Sequence, residues 1–230
     1  MGGAALRDSQ AFVEPWLAGR PRILEVGCGD ASLSAWMAAR GHDVTAIDRR
    51  LPSGAAGLAR PGLHLQLIEG DFMTTDLGLS RFDAVVLVAV LHHLAPLDVA
   101  VARLRALLVD GGVIVVDDFD LVAPDDATAA FWTALPGLDV PAGGDPLQRW
   151  RAYHRHDDEP PLHTAAAMED ALGHAGFRPL TVSRGPYLFR YVDDVDGVLG
   201  VDDAETLAAE RRGLADGSLR ATGFRLVAVR

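Results

Sequence analysis

The sequence has little cysteine, no excess of positive charge and no long apolar run. Cys28 is the only cysteine in 230 residues, so neither an internal disulfide nor a zinc site of several thiolates can form. The formal net charge is −11 at pH 7, which disfavours nucleic acids and anionic membranes because both attract clustered basic side chains. The longest apolar run, residues 84–91, is too short to cross a bilayer, and residues 1–10 show no signal-peptide pattern. We therefore expect a cytoplasmic protein with no nucleic-acid or membrane partner, and a homodimer is left open.

The order of short apolar runs predicts one α/β domain over residues 1–230. Hydrophobic residues make up 49% of the chain and charged residues 23%, as in ordinary soluble proteins. Between Arg22 and Asp120, five strand-like runs alternate with helix-like segments, including predicted helices over residues 31–40 and 97–108. The runs are RILEVG, HDVTAID, LHLQLIEG, FDAVVLVAV and GGVIVVDDF. This alternation is typical of a parallel sheet with crossover helices.

The alternation stops after Phe119. Residues 120–163 are rich in proline and glycine, and a loop of this length is usually a functional lid or disordered. Its aromatic residues favour a lid-like insertion after the fifth strand. The aromatic residues in and beyond it are Phe131, Trp132, Trp150, Tyr153, Tyr187 and Phe189. They would suit a flat apolar ligand or form the core of the lid itself, and the sequence does not separate the two. A helix is predicted from Thr164, and two strand-like runs, PLTVSRGPYLFRYV and ATGFRLVAVR, flank a second polar insertion at 193–217.

The stretch LEVGCGDASLS, residues 24–34, has the form of a strand, a glycine turn and a helix start. Gly27 and Gly29 allow a sharp turn, and the following helix would point free N–H groups at a ligand. A phosphate loop is excluded because no lysine follows the turn. A dinucleotide fingerprint requires glycine where Ser32 stands, although Asp48 lies where that fingerprint has its acid. The dinucleotide interpretation therefore stays open.

The same stretch resembles motif I of the class I S-adenosylmethionine-dependent methyltransferases, in which an acid precedes three glycines at alternate positions. Glu25, Gly27 and Gly29 match, and Ala31 replaces the third glycine, where its methyl group would lie near the methionine end of the cofactor. The segments VTAID, IEGDFM, FDAVVLVAVLHHL and LRALLVDGGVIVVDD then follow in the order of the later family motifs. The resemblance covers residues 22–119 closely and the ends loosely. It implies a Rossmann-like, seven-stranded, mostly parallel sheet with an antiparallel last strand and helices on both faces.

The resemblance also implies S-adenosyl-L-methionine as cofactor, with S-adenosyl-L-homocysteine as product. The implied cofactor-binding residues are Glu25, Gly27, Cys28, Gly29, Asp48, Asp71, Phe72 and Ala89. The Asp48 carboxylate would accept hydrogen bonds from the ribose hydroxyls, which a dinucleotide fold also requires. Asp71 would accept from the adenine amino group while the Phe72 N–H donates to a ring nitrogen. The Gly27 carbonyl and the backbone near Ala89 would bind the methionine ammonium.

Three histidines are candidates for catalysis. Transfer of a methyl group to a hydroxyl requires loss of a proton, and histidine is the side chain best suited to accept it at neutral pH. His92 and His93 follow the fourth strand, at the sheet edge where ligands bind in α/β folds. The phrase LHHL is common in this family whatever the substrate, so one of the two can instead orient the loop. His163, before the closing helix, is predicted to contact the substrate.

A second cluster, His154, His156 and the acids at 157–159, could ligate a divalent metal or form a solvated loop. No recognised ligand spacing recurs, so we predict no metal. Residues 117–120, DDFD, either present a carboxylate to the substrate or cap the strand end.

The predicted function is methyl transfer from S-adenosylmethionine to a small organic molecule, with a hydroxyl as acceptor, in specialised metabolism. Two alternatives remain: an NAD(P)-dependent oxidoreductase, and a scaffold that binds S-adenosylmethionine without turnover. Loss of the Asp71 carboxylate would weaken cofactor binding only in the methyltransferase.

Overall fold

The computed structural model describes residues 3–58, 60–79, 81–155, 160–192 and 203–230. The strands are β1 (Arg22–Val26), β2 (Asp43–Asp48), β3 (Leu65–Glu69), β4 (Phe82–Val88), β5 (Leu108–Phe119), β6 (Arg178–Gly185) and β7 (Gly223–Val229). The α-helices are α1 (Gly3–Leu17), α2 (Ser32–Ala38), α3 (Leu97–Leu107), α4 (Asp126–Thr133), α5 (Pro146–Tyr153), α6 (Ala165–His174) and α7 (Asp203–Asp216). Short 3-10 turns lie at Ala55–Leu58, Leu91–His93 and Leu188–Tyr191.

One seven-stranded sheet runs in the order β3-β2-β1-β4-β5-β7-β6. The strands β1 to β5 are parallel, and β7 is antiparallel to both β5 and β6. The predicted mixed sheet with an antiparallel last strand is therefore confirmed. The strand order reverses between β1 and β4, and ligands of open α/β sheets bind at the carboxyl ends of the strands at such a point.

The sheet buries apolar side chains on both faces. Val85 and Leu87 of β4 pack in one core with α3 and α6, while the alternate residues Val86 and Val88 pack in the other with α1 and α2. Strands buried on both faces read as continuous apolar runs because neither side needs polar residues. The predicted helices on both faces are thus confirmed.

Some boundaries differ from the prediction for local reasons. Helix α2 begins at Ser32 rather than at residue 31, because Ala31 has a left-handed backbone with φ 59°. Leu108, placed in the helix before β5, is the first residue of the strand. Among the described residues between β2 and β3, only a short 3-10 turn forms, in keeping with the glycine and proline content of LPSGAAGLARPG.

The segment after β5 forms α4 and α5 around its own apolar cluster. Trp132 and Trp150 are completely buried there, together with Phe119 of β5 and Leu188. The Trp150 indole N–H donates to the Leu121 carbonyl at 2.8 Å. The two tryptophans therefore form the core of this segment.

Besides α4 and α5, two further helices, α1 and α7, lie where none was predicted. Helix α1 packs Val13 and Leu17 on the sheet, and α7 occupies much of the segment predicted as a second polar insertion, whose residues 193–202 lie outside the described ranges. The Asp203 carboxylate at the start of α7 accepts hydrogen bonds from the N–H groups of Ala4 and Ala5, so it caps the first turn of α1. Among the residues described, no helix has the length and apolar character needed to cross a bilayer.

Candidate functional site

A first cavity of about 230 Å³ lies where the strand order reverses. Its walls come from the carboxyl ends of β1 and β2 and from the loops after β3 and β4. Four of the predicted cofactor-binding residues line it: Gly27, Asp48, Asp71 and Phe72. We call this space the first cavity.

The glycine loop forms one end of the first cavity through a left-handed backbone. Gly27 and Gly29 have φ values of +71° and +53°, which other residues adopt only under strain. A Cβ atom at Gly27 would lie 2.5 Å from the Val90 side chain, whereas one at Gly29 would meet nothing within 4 Å. The Gly29 N–H donates to the Asp48 carboxylate at 2.8 Å, which ties the loop to the end of β2.

The acids after β2 and β3 supply acceptors beside an unpaired donor. Asp71 accepts from the Met73 N–H at 2.8 Å, and its other oxygen lies 3.9 Å from the Arg49 guanidinium. Phe72 is nearly buried, and its N–H makes no hydrogen bond with the described parts of the chain. A donor at Phe72 next to acceptors at Asp48 and Asp71 fits an adenosine, whose hydroxyls and amino group donate and whose ring nitrogens accept.

Glu25 lies beneath the loop and does not line the first cavity. Its side chain is buried in the sheet and accepts a hydrogen bond from Ser34 of α2. Burial raises the pKa of Glu25 to about 8, against the hydrogen bond from Ser34, which lowers it. A carboxyl group with a raised pKa stabilises the fold at low pH and loses that contribution as pH rises from about 4.5 to about 8.

Glutamine at position 25 is uncharged at every pH, so Glu25→Gln should stabilise the apoprotein at high pH. We expect the free energy of unfolding of the variant, relative to the wild type, to increase by on the order of 2 kcal/mol between pH 6 and pH 9. Urea unfolding of both proteins at the two pH values measures this, and the wild type corrects for all other titrating groups. If the difference in unfolding free energy between the two proteins does not change with pH, the pKa of Glu25 is not raised in the folded protein.

Two loop residues face away from the first cavity. Ala31 and the Cys28 side chain pack with Ala46 in a small apolar cluster. Burial raises the pKa of the Cys28 thiol to about 12, so it stays protonated. The Ala31 methyl is fully buried, which corrects the expectation that it would press on the cofactor. The predicted cofactor contact of Cys28 would therefore have to come from its backbone.

A second cavity of about 450 Å³ adjoins the first, and His93 lines both. Ala89, at the end of β4 with φ +52°, and His92 line only this second cavity. Aromatic rings make up much of its wall: Phe119, Tyr153, Tyr187 and Tyr191, with the imidazole of His154. The structure therefore places a cavity that carries two carboxylates beside one walled largely by aromatic rings.

His92 is held by a buried carboxylate. Its Nδ1 lies 2.6 Å from an oxygen of Asp118, and its backbone N–H donates to the same side chain at 3.3 Å. Asp118 is fully buried at the end of β5. A carboxylate accepts, so Nδ1 donates to it, and in the uncharged ring the lone pair is on Nε2. No hydrogen bond to Nε2 occurs within the described ranges, and His92 lines the second cavity.

His163 does not line either cavity, which differs from the predicted substrate contact. Its backbone N–H donates to the His92 carbonyl at 2.9 Å, and its Nε2 donates to the Leu94 carbonyl at 3.1 Å. These bonds tie His163 to the loop after β4 that carries His92.

The neighbouring acid, Asp117, points to the other face of the sheet. It pairs with Arg190 at 2.8 Å and with Arg225 at 2.9 Å, and Asp8 of α1 pairs with both arginines. Burial would raise the pKa of Asp117, but the two guanidinium groups hold it below its usual value. Asp120 accepts from the N–H of Ala165 at the start of α6. In the DDFD segment, Asp118 thus pairs with a histidine, Asp117 belongs to an ion-pair network, and Asp120 binds the start of a helix.

The sequence did not single out several cavity residues, namely Arg49, Val90, Tyr191 and Arg190. Each lies in or next to a segment that the sequence marks as a strand or motif, but which of these side chains face a cavity depends on how loops distant in the chain come together. His156 and the acids at 157–159 lie outside the described residues, and in the described ranges no cluster of His, Cys, Asp or Glu has the arrangement of a metal site.

Comparison with known proteins finds methyltransferases. An uncharacterized methyltransferase of Mycobacterium tuberculosis is 38% identical over 98 residues, which is 42% of this chain and 50% of that protein. The ubiquinone biosynthesis O-methyltransferase of Azorhizobium caulinodans is 25% identical over 161 residues, 68% of this chain and 58% of that one. These matches span about half the length of the curated relatives.

A similar solved structure is the Burkholderia thailandensis 1,6-didemethyltoxoflavin-N1-methyltransferase with S-adenosylhomocysteine. It has a TM-score of 0.61 and 21% identity, covering 99% of this chain and 78% of that one, which shows a common fold. A family model described as a methyltransferase domain matches residues 3–182, more than three quarters of the chain. The chain therefore belongs to the class I S-adenosylmethionine-dependent methyltransferase family.

Proposed function

We propose that this protein transfers a methyl group from S-adenosylmethionine to a hydroxyl of a small molecule, with His92 as general base. The observation that carries the proposal is the His92–Asp118 pair at the wall of the second cavity, beside a first cavity suited to adenosine. The first cavity would hold the cofactor, and the second would hold the methyl acceptor.

The residues of the first cavity have separate tasks in this proposal. Asp48 would accept from the ribose hydroxyls, Asp71 from the adenine amino group, and the Phe72 N–H would donate to the adenine ring. The Gly27 carbonyl and the backbone of Ala89 would bind the methionine ammonium. Because Ala89 belongs to the second cavity, this places the reacting end of the cofactor at the junction of the two.

His92 would take the proton of the acceptor hydroxyl. Asp118 fixes the tautomer with the proton on Nδ1, which leaves Nε2 to accept. S-adenosylmethionine supplies a methyl on a sulfonium, so a C–O bond forms as the C–S bond breaks and a neutral thioether leaves. The hydroxyl proton passes to Nε2, and Asp118 stabilises the resulting imidazolium. His93 lies beside His92, with ring centres 4.1 Å apart, and would border both ligands.

Two further observations support a small hydroxyl acceptor. The Azorhizobium caulinodans relative is an O-methyltransferase of ubiquinone biosynthesis. The second cavity has the size and apolar walls of a small-molecule site. We propose that residues 120–163, which contribute Tyr153 and His154 to its wall, act as the lid of this site. A role in specialised metabolism remains a proposal that rests on this segment.

Calorimetric titration of Asp71→Ala tests the cofactor assignment. We expect the variant to bind S-adenosylhomocysteine about 10- to 100-fold more weakly, because the adenine amino group loses a charged acceptor. Asp76→Ala is the matched control, since Asp76 accepts from a nearby backbone N–H in the same loop but does not line the first cavity.

Titration of the wild type with NAD and NADP distinguishes the oxidoreductase. Saturable binding of a dinucleotide without binding of S-adenosylhomocysteine would overturn the assignment. Mass spectrometry of a panel of hydroxyl compounds incubated with S-adenosylmethionine then tests transfer, and binding without any transfer would favour the scaffold.

A further inference from the structure

A chain of hydrogen bonds with a fixed direction reaches the wall of the second cavity. His154 is 8% exposed, and its Nδ1 lies 2.8 Å from the Trp150 carbonyl. A carbonyl can only accept, so Nδ1 donates to it, and in the uncharged form of the ring Nε2 offers a lone pair. The Tyr191 hydroxyl lies 2.7 Å from that Nε2 and therefore donates its proton to it.

This arrangement determines what Tyr191 can offer a ligand. With its only proton directed at His154, the phenol oxygen has lone pairs left and no donor. Burial raises the pKa of Tyr191 well above its usual value, so the hydroxyl stays protonated and the direction of the chain is kept. Tyr191 also lines the second cavity. At this point of the wall, the Tyr191 oxygen can therefore accept a hydrogen bond from a ligand but cannot donate one.

The Tyr191–His154 pair and His92 lie around the same aromatic ring. The centre of the Phe119 ring is 4.7 Å from that of His92 and 5.3 Å from that of His154, and Tyr187 stacks on Phe119 at 5.1 Å. A flat ligand on this aromatic wall would meet His92 on one side and the Tyr191–His154 pair on another. Both positions can accept: His92 would take a proton from the ligand, and the Tyr191 oxygen would accept a hydrogen bond from it.

We propose that Tyr191 selects aromatic acceptors that carry a second hydrogen-bond donor, a hydroxyl or an amine, besides the hydroxyl that is methylated. The inference rests on the proposed function, because it assigns the second cavity to the acceptor. A buried acceptor left without a donor loses its hydrogen bond to water and gains none in return, so ligands lacking the second donor bind less tightly.

Matched ligand pairs test the selection by binding alone. Catechol, resorcinol and hydroquinone are titrated into the protein saturated with S-adenosylhomocysteine, and each is compared with the analogue in which one hydroxyl is a methoxy group. A methoxy oxygen accepts but cannot donate. We expect at least one dihydroxy compound to bind about tenfold more tightly than its methoxy partner.

Three variants assign the preference to this hydrogen-bond chain. Tyr191→Phe should reduce the ratio of dissociation constants to about one, whereas Tyr153→Phe, on the same wall, should preserve it. His154→Leu removes the partner of the Tyr191 hydroxyl, which is then free to donate, so the methoxy compounds should gain affinity. Circular dichroism establishes that each variant is folded.

The outcomes separate this inference from the proposed function. Equal binding of both members of every pair, or a preference that survives in Tyr191→Phe, would overturn the selection by Tyr191 and leave the acceptor site intact. Absence of binding by all of these compounds, together with absence of methyl transfer to any hydroxyl compound, would overturn both.

Discussion

Replacing His92 by glutamine is expected to lower kcat for methylation of a hydroxyl by about 10²–10⁴-fold. Glutamine can still donate to Asp118 from a similar position, but it cannot accept the proton of the acceptor hydroxyl. The dissociation constant of S-adenosylhomocysteine should stay within about twofold, because His92 does not line the first cavity. Single-turnover rates and calorimetry on the same preparation measure both quantities.

The matched variant His93→Gln identifies which of the two adjacent histidines acts as the base. His93 is exposed and borders both cavities, so its replacement should affect binding of both ligands more than the rate at saturation. Asp118→Asn should resemble His92→Gln, because an amide can donate to Nδ1 and so favours the wrong tautomer. A His92→Gln enzyme that keeps its kcat within tenfold, or a larger loss in His93→Gln, would show that His92 is not the base.

Gly27→Ala is expected to lower the free energy of unfolding by about 3 kcal/mol. The new methyl would occupy a left-handed residue and lie 2.5 Å from the Val90 side chain, which must move. Val90 lines the first cavity, so we also expect the affinity for S-adenosylhomocysteine to fall more than tenfold. Urea unfolding and calorimetry provide the two measurements.

Gly29→Ala separates backbone strain from the steric contact. Gly29 has a similar positive φ, but a methyl there meets nothing within 4 Å, so the cost should be only about 1 kcal/mol. Equal destabilisation by the two substitutions would mean that Val90 moves aside without cost. Backbone strain alone would then explain the loss of stability when either glycine is replaced.

The sequence was sufficient for the sheet and for the first cavity because local patterns encode both. Continuous apolar runs mark strands buried on two faces, and the acids lie at strand ends: Asp48 is the last residue of β2, and Asp71 lies two residues beyond β3. Strand ends meet at one edge of a parallel sheet, so these residues could be placed together without knowledge of the rest.

The second cavity could not be predicted in the same way. Its residues come from the loop after β4, the end of β5, helix α5 and the turn before α7, and no spacing links them. The adjacent acids Asp117 and Asp118 look equivalent in the sequence, yet the alternation of side chains along β5 sends one to Arg190 and Arg225 and the other to His92. Pairing of this kind depends on the tertiary structure.

Helix α7 was missed because some of its polar residues are buried for reasons that only the tertiary structure shows. The buried Glu210 of α7 accepts hydrogen bonds from the backbone N–H groups of residues 187–189, and such a glutamate looks solvent-exposed in the sequence. Two residues of that segment, Leu188 and Phe189, belong to the same 3-10 turn as Tyr191. A residue on a helix that no motif marks therefore supports the wall of the second cavity.

The cap that Asp203 provides for α1 also affects how the protein folds during synthesis. Ala4 and Ala5 leave the ribosome almost 200 residues before Asp203, and Asp8 emerges long before Arg190 and Arg225. The amino-terminal helix therefore has neither its cap nor its charge partners while the parallel strands are being translated, and it can dock in full only near the end of translation. Until then its apolar residues Val13 and Leu17 lack part of their final packing, so nascent chains halted before β7 are the intermediates in which chaperone binding to this helix should be sought.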